Sequence, residues 1–134
     1  MSLTSLRVAS SLWRDVRLAV GPYRPHTMLV GPSRETASFI EALRSDLLEP
    51  VCTIDGACLG EIPDHARTII LRNIDALDLR GQVALMAKLE SSSGTLQVVS
   101  LAERPPFARV QRGLLMETLY RRLSLVYLVT DHPD

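Results

Sequence analysis

Net charge, cysteine and long apolar runs are all scarce in this chain of 134 residues. Fifteen basic side chains balance fifteen acidic ones, so no overall field draws it to nucleic acid or to an anionic membrane. Its two cysteines, Cys52 and Cys58, lie in or beside apolar runs, with no His or Cys partner at metal-ligand spacing. That argues against a zinc site or a disulfide and makes structural thiols in a reducing cytoplasm the expectation. The amino terminus has no apolar segment of export type, and no stretch approaches the roughly 20 apolar residues that a membrane helix needs. Neither export nor a membrane span is expected. Internal repeats and low-complexity tracts are absent too. What is there is ordinary for a globular protein: hydrophobic residues make up 46% and charged residues 22%, enough for one domain over residues 1–134 with a proper core.

A lysine and a glycine are missing where chemistry would need them. The apolar run Met28-Leu29-Val30 leads into Gly31-Pro32-Ser33-Arg34-Glu35-Thr36-Ala37-Ser38, and a helical run over residues 39–48 follows. This is the place of a phosphate-binding loop of pattern G-x-x-x-x-G-K-[ST]. In such a loop the second glycine turns backbone N–H groups toward the phosphates, and the lysine neutralises the outer ones. Thr36 and Ala37 hold those positions here. Thr36 has a branched Cβ that disfavours positive φ, and Ala37 carries no charge. The segment therefore reads as a vestigial phosphate loop, and no cofactor or metal is expected. An active reading would make Arg34 the substitute for lysine and Ser38 the hydroxyl ligand. The expected one is a solvated arginine near a helix start and a serine facing water. A stray sulfate or phosphate at residues 31–38 would not indicate an enzyme, because backbone N–H groups at a helix start hold anions unaided.

Periodicity orders the rest of the chain. Leu6, Ala9, Trp13, Val16 and Val20 paint one stripe on a helix over residues 4–20, stopped by Gly21-Pro22. Residues 27–30 read as a buried strand, and Phe39, Ile40, Leu43, Leu47 and Leu48 as the apolar face of the helix that follows. Residues 51–54 form a second strand, and residues 55–66 a connection with at most one helical turn. Thr68-Ile69-Ile70-Leu71 has the continuous apolar character of a strand buried on both faces of a parallel sheet. Asp78 caps a helix with Leu79, Val83, Leu85, Met86 and Leu89 mostly inward. Residues 96–101 form a fourth strand, 107–122 two short helices and 125–129 a fifth strand. Strands alternating with helices predict a three-layer α/β sandwich around a five-stranded, largely parallel sheet.

Three segments carry more than periodicity. Gly113-Leu114-Leu115-Met116-Glu117-Thr118-Leu119-Tyr120-Arg121-Arg122-Leu123-Ser124-Leu125-Val126 has its glycine, Leu-Tyr and Arg-Leu in the register of G-R-F-R-x-D-L-Y-Y-R-L-N-V. Thr68-Ile69-Ile70-Leu71-Arg72-Asn73-Ile74-Asp75-Ala76-Leu77 is similar to T-L-F-L-D-E-I-G-D-L, and residues 82–89 to Q-x-x-L-L-R-x-L. In this order, and with the loop at 31–38, they resemble the AAA+ core of sigma-54-dependent transcription activators, the bacterial enhancer-binding proteins. The resemblance implies a P-loop NTPase-like fold, and it also shows what is changed. The family's acidic pair, which positions magnesium and the attacking water, falls at Arg72 and Asn73. A cation about 4 Å from a magnesium site opposes the metal by several kcal/mol at an effective dielectric of about 20. The sensor asparagine falls at Glu103, the first arginine finger at Met116, and only Arg122 matches the second. The sigma-contacting insertion would belong between Cys58 and Arg67 and is missing, and a core without a lid after Val129 is the expectation.

Other residues have blander expected roles. His26, His65 and His132 read as surface or turn histidines, Asp55 and Asp75 as caps, and Trp13 as a core anchor. Arg104, Arg109, Arg112, Arg121 and Arg122 surround the fourth crossover. They either solvate short helices while pairing with Glu103 or Glu117, or form an interface in which Arg122, Met116 and Arg112 take part. Acids near the first strand and a lysine after the fifth, which response-regulator signalling needs, are lacking, as is a helix-turn-helix segment for DNA. The expected function is a non-catalytic regulatory or protein-interaction module. Its expected partner is an intact AAA+ activator, another copy of itself or a signalling regulator, with neither membrane nor nucleic acid involved. The alternative is an ATPase subunit active only in a complex, donating Arg122 to a neighbour's site.

Overall fold

Runs of β-branched and aliphatic residues, with no polar residue on alternate positions, build the centre of the molecule. The computed structural model describes residues 24–60, 62–92 and 94–130. The helix expected over residues 4–20, with Trp13 on its stripe, and His132 lie outside them. Five strands form one parallel sheet in the order β2-β3-β4-β1-β5: β1 (Thr27–Val30), β2 (Val51–Asp55), β3 (Thr68–Arg72), β4 (Gln97–Ala102) and β5 (Val126–Val129). The three inner strands, β1, β3 and β4, hold few polar residues before Arg72 ends β3, and those few, Thr27, Thr68, Gln97 and Ser100, are buried with the rest. They are buried on both faces, as parallel strands under helices must be.

The side chains of successive strand residues split between two cores. On one face Leu29, Ile70, Val99, Leu101 and Leu128 meet Phe39, Ile40 and Leu43 of helix α1 (Ser33–Leu43). On the other, Met28, Val30, Ile69, Leu71 and Val98 meet Leu85 and Leu89 of α2 (Leu79–Ser92). Leu115 and then Leu119 and Leu123 of α4 (Glu117–Leu123) complete that layer, after the short helix α3 (Phe107–Gln111). The expected α/β sandwich is therefore present, with every strand parallel.

Several local expectations hold at the level of atoms, and others need correction. Asp78 caps α2, accepting the Gly81 N–H at 2.8 Å, which satisfies one of the helix's free donors. Leu79 and Val83, expected inward, are 67% and 55% exposed. The inward face is Gln82, Leu85 and Leu89 at three- and four-residue spacing, and Val83 stands about 100° from Gln82 around the helix. Helix α1 begins at Ser33, six residues before the expected run, and the chain is extended again by Leu47. Cys52 packs half-buried against the core, whereas Cys58 is exposed.

Gln82, from the Q-x-x-L-L segment, is a buried polar clamp. Its Nε2 donates to Leu77 O at 3.2 Å and to Leu114 O at 2.9 Å, while its Oε1 accepts the Met116 N–H at 2.8 Å. It thereby ties α2 to the turn that launches α4. His26, expected at the surface, is half-buried, and its Nδ1 accepts the Val98 N–H at 3.0 Å. Burial first, and then the nearby Arg122 guanidinium, push its pKa below the ordinary 6.5, so the folded chain favours the neutral ring.

Two outcomes follow for stability. Gln82→Leu leaves the Leu114 carbonyl and the Met116 N–H without their partner, and should lower the unfolding free energy in urea by about 2–4 kcal/mol. A loss below about 0.5 kcal/mol would deny the clamp its role. For His26, the unfolded chain takes up the proton more readily than the folded one. Its contribution is thus fully present above pH 6.5 and is lost as pH falls through the lowered folded value. His26→Asn, which keeps an acceptor facing Val98, should flatten the acid limb of stability measured between about pH 7 and 5. An unchanged limb would assign it to other groups.

Candidate functional site

The topology marks one crevice. The chain leaving β1 crosses to the β2 edge, and the chain leaving β4 crosses the other way to β5, so the connections diverge between β1 and β4. Ligands of open α/β sheets bind outside the carboxyl ends of strands at such a switch point. A cavity of about 260 Å³ lies there. It gathers Ser33, Thr36 and Ala37 of α1, Asp55 at the end of β2, Arg72 and Asn73 at the end of β3, and Glu103 beyond β4. Positions that the sequence singled out far apart thus converge. Arg34 and Ser38 do not line it.

The strand-to-helix link is only Gly31-Pro32. Pro32, with φ −54°, stands just before the first helical residue, and its carbonyl accepts the N–H groups of Glu35 and Thr36 at 2.9 and 3.0 Å. A proline fixes φ in the helical range, so the helix starts at once. Residues 33–38, expected as a loop, are the first turns of α1. The Thr36 hydroxyl turns back onto the Ser33 carbonyl at 3.2 Å. The Ser33 hydroxyl donates to Glu103 Oε1 at 2.8 Å, placing a carboxylate at the helix start.

Gly31 is needed for a reason unrelated to phosphate. Its N–H donates to Ala102 O at 2.9 Å, adding a rung between β1 and β4. A Cβ placed on it would fall 2.0 Å from Thr130 Oγ1, just past β5, and its φ of +158° is one that L side chains rarely adopt. On the far wall, Asp55 caps its own turn by accepting the Ala57 N–H at 2.8 Å, as expected. Asn73 has left-handed φ and ψ of 56° and 53°, a conformation asparagine tolerates better than most residues. Arg72 stands beside Asp55 in register and, among the described residues, forms no ion pair.

Asp75 departs from expectation. Among the described residues its side chain caps no turn; it lies half-buried near Glu103 beyond β4. Burial raises its pKa, with Arg109 the largest opposing influence. Around the fourth crossover, Arg121 pairs with Glu117, its Nε 2.9 Å from Oε2, whereas Glu103 takes the Ser33 hydroxyl. The three expected interface residues do not share one cavity. Met116 packs half-buried against the core, Arg112 is exposed at the end of α3, and Arg122 lines a separate cavity with His26. The sequence marks His26 only as a surface or turn histidine and gives Thr130 no role, because their partners, Val98 and Gly31, are distant along the chain.

No family model matches the chain, and no curated protein does. Solved structures do. NtrX from Brucella abortus in complex with ATP superposes with a TM-score of 0.68 at 18% identity, over 98% of this chain and 36% of that one. Domain III of the Thermotoga maritima replication initiation protein DnaA gives 0.62 at 15%, over 96% and 65%. A chain from Drosophila ORC bound to GC-rich DNA and Cdc6 gives 0.60 at 12%, over 97% and 30%. The fold is AAA+-like. At these identities the likeness concerns fold alone, and the chain spans about a third of the NtrX chain.

The close approach at the loop is directly testable. Gly31→Ala should lower stability by about 2–4 kcal/mol in chemical unfolding, and adding Thr130→Ala should recover part of that loss. Strictly additive losses would mean that Thr130 is not what excludes a side chain at residue 31.

Proposed function

We propose that this domain is a non-catalytic regulatory or protein-interaction module that keeps an AAA+-type scaffold without using nucleotide. The start of α1 at Ser33 carries the reading: the residues that would wrap a phosphate are helical, and a carboxylate stands at the helix start. Charge supports it. The cavity holds Asp55 and Glu103 against the single guanidinium of Arg72. Each like-charged pair at about 4 Å costs about 4 kcal/mol at an effective dielectric of about 20, so a triphosphate would meet net repulsion. Arg72 likewise opposes a divalent cation where the resembled activators carry their acidic pair. A cavity of about 260 Å³ is also small beside the ~300–1,000 Å³ usual for small-molecule sites. The residues present do not suit Mg–ATP.

The partner class that fits the reading is another AAA+ chain, either an intact activator or a second copy. A second reading draws on the exposure of Arg122 at the end of α4: an ATPase complex in which this chain donates that arginine to a neighbour's site. Calorimetry with Mg–ATP should give a dissociation constant weaker than about 1 mM, with no phosphate release. Low-micromolar binding with turnover would overturn the proposal. ATP hydrolysis that appears only on mixing with an intact activator, and disappears with Arg122→Ala, would establish the second reading instead.

A further inference from the structure

We infer that the open cleft beside α4, at the amino end of the sheet, is a binding site for a carboxylate carried on an apolar group. It lies at the opposite end of the strands from the crevice described above, with a volume of about 480 Å³. His26 from the entry to β1, Thr118, Arg121 and Arg122 from α4, Leu89 from α2 and Leu125 from the entry to β5 line it.

The chemistry of this wall is one-sided. With Nδ1 accepting the Val98 N–H, the neutral imidazole carries its proton on Nε2, so the ring can offer a donor but no second acceptor. Arg122 adds a guanidinium that forms no ion pair among the described residues, and Thr118 adds a hydroxyl. No carboxylate among the described residues lines the cavity. A donor-rich wall of this kind suits an oxyanion, and the net charge decides which. Arg121 is neutralised by Glu117, with its Nε 2.9 Å from Oε2, and the His26 ring is uncharged. One uncompensated positive charge remains, on Arg122. It matches a singly charged carboxylate better than a phosphate dianion, and a guanidinium can meet the two carboxylate oxygens in parallel. Leu89 and Leu125 supply the apolar wall, and Leu125 is 67% exposed, leaving surface for an aliphatic stem to cover. An acidic side chain of a protein partner and a free aliphatic acid share this chemistry.

Three ligands with the same stem separate charge from apolar contact: hexanoate, hexanamide and hexyl phosphate. They are titrated into the full chain while the imidazole resonances of His26 are followed by NMR. Hexanoate should bind with a dissociation constant on the order of 1 mM and hexanamide about tenfold more weakly. Bound hexanoate should also raise the pKa of His26, because an anion favours the charged ring. Arg122→Ala should weaken hexanoate about tenfold, and His26→Asn, which retains an acceptor for Val98 but loses the ring donor, should weaken it too. Arg112→Ala, outside the cavity, should change nothing. Equal binding to the Arg122→Ala protein, undisturbed His26 resonances at tens of millimolar hexanoate, or tighter binding of hexyl phosphate would each overturn the assignment. A Glu-containing peptide that displaces hexanoate would identify a protein partner as the source of the acid. Failure here leaves the nucleotide reading untouched, since that rests on the other end of the sheet and on Mg–ATP calorimetry.

Discussion

Two residues, Gly31 and Pro32, carry the chain from β1 into α1, and the shortness of that link constrains the carboxyl edge of the sheet. Gly31 is held in the sheet by its bond to Ala102, and Thr130 fills the space where its side chain would be. Pro32 then starts the helix immediately. A phosphate cradle needs slack between strand and helix, so that several N–H groups can turn inward before helical bonding claims them. Here the Glu35 and Thr36 N–H groups are already bonded to the Pro32 carbonyl. Everything else at this edge agrees: the Thr36 hydroxyl is turned inward to its own helix, the Ser33 hydroxyl meets Glu103, and Asp55 closes its own turn. The edge satisfies itself with groups from the chain.

The architecture was largely legible because its signals are local. Continuous apolar runs at residues 27–30 and 68–71 identify inner strands without reference to their neighbours, and Asp78 three residues before Gly81 identifies a cap. Convergence of Arg72, Asn73 and Glu103 was legible too, since parallel strands deliver their carboxyl ends to one side. The start of α1 was not. Residues 33–38 match the position of a loop template, but Pro32 followed by residues that tolerate helix is also a helix start, and the template masks it. The exposure of Leu79 and Val83 escaped notice because a leucine or valine near the right spacing looks inward whatever the helix's rotation. That rotation is set by Gln82, a polar residue whose burial depends on carbonyl and N–H groups more than thirty residues away. His26 and Thr130 belong to the same class: each is explained only by a partner that the fold brings near.

The two ends of the sheet differ in how their polar groups are used. At the carboxyl end, Ser33, Thr36 and Asp55 bond within the chain, and two acids face the one arginine of the cavity. At the amino end, donors accumulate without acceptors, and His26 is kept neutral by burial and by Arg122 beside it. A buried histidine has a low-cost way to stay uncharged, because its Nδ1 is engaged with a backbone N–H that only the neutral form can accept. An oxyanion arriving there would reverse the balance, favouring the protonated ring that the free protein disfavours.

Gln82 connects these regions mechanically. By holding the Leu114 carbonyl and the Met116 N–H, it fixes the turn from which α4 departs, and α4 carries Thr118, Arg121 and Arg122. Leu119 and Leu123 then press the helix onto the sheet, so its outer residues have little freedom to shift as a group. An apolar residue at position 82 would fill the same space but hold neither backbone group. The glutamine of the Q-x-x-L-L segment thus has a purely structural explanation that survives without any nucleotide. The same holds for Gly31, whose need for glycine comes from Thr130. Both motif residues are thus ones that the packing of this chain requires in its own right.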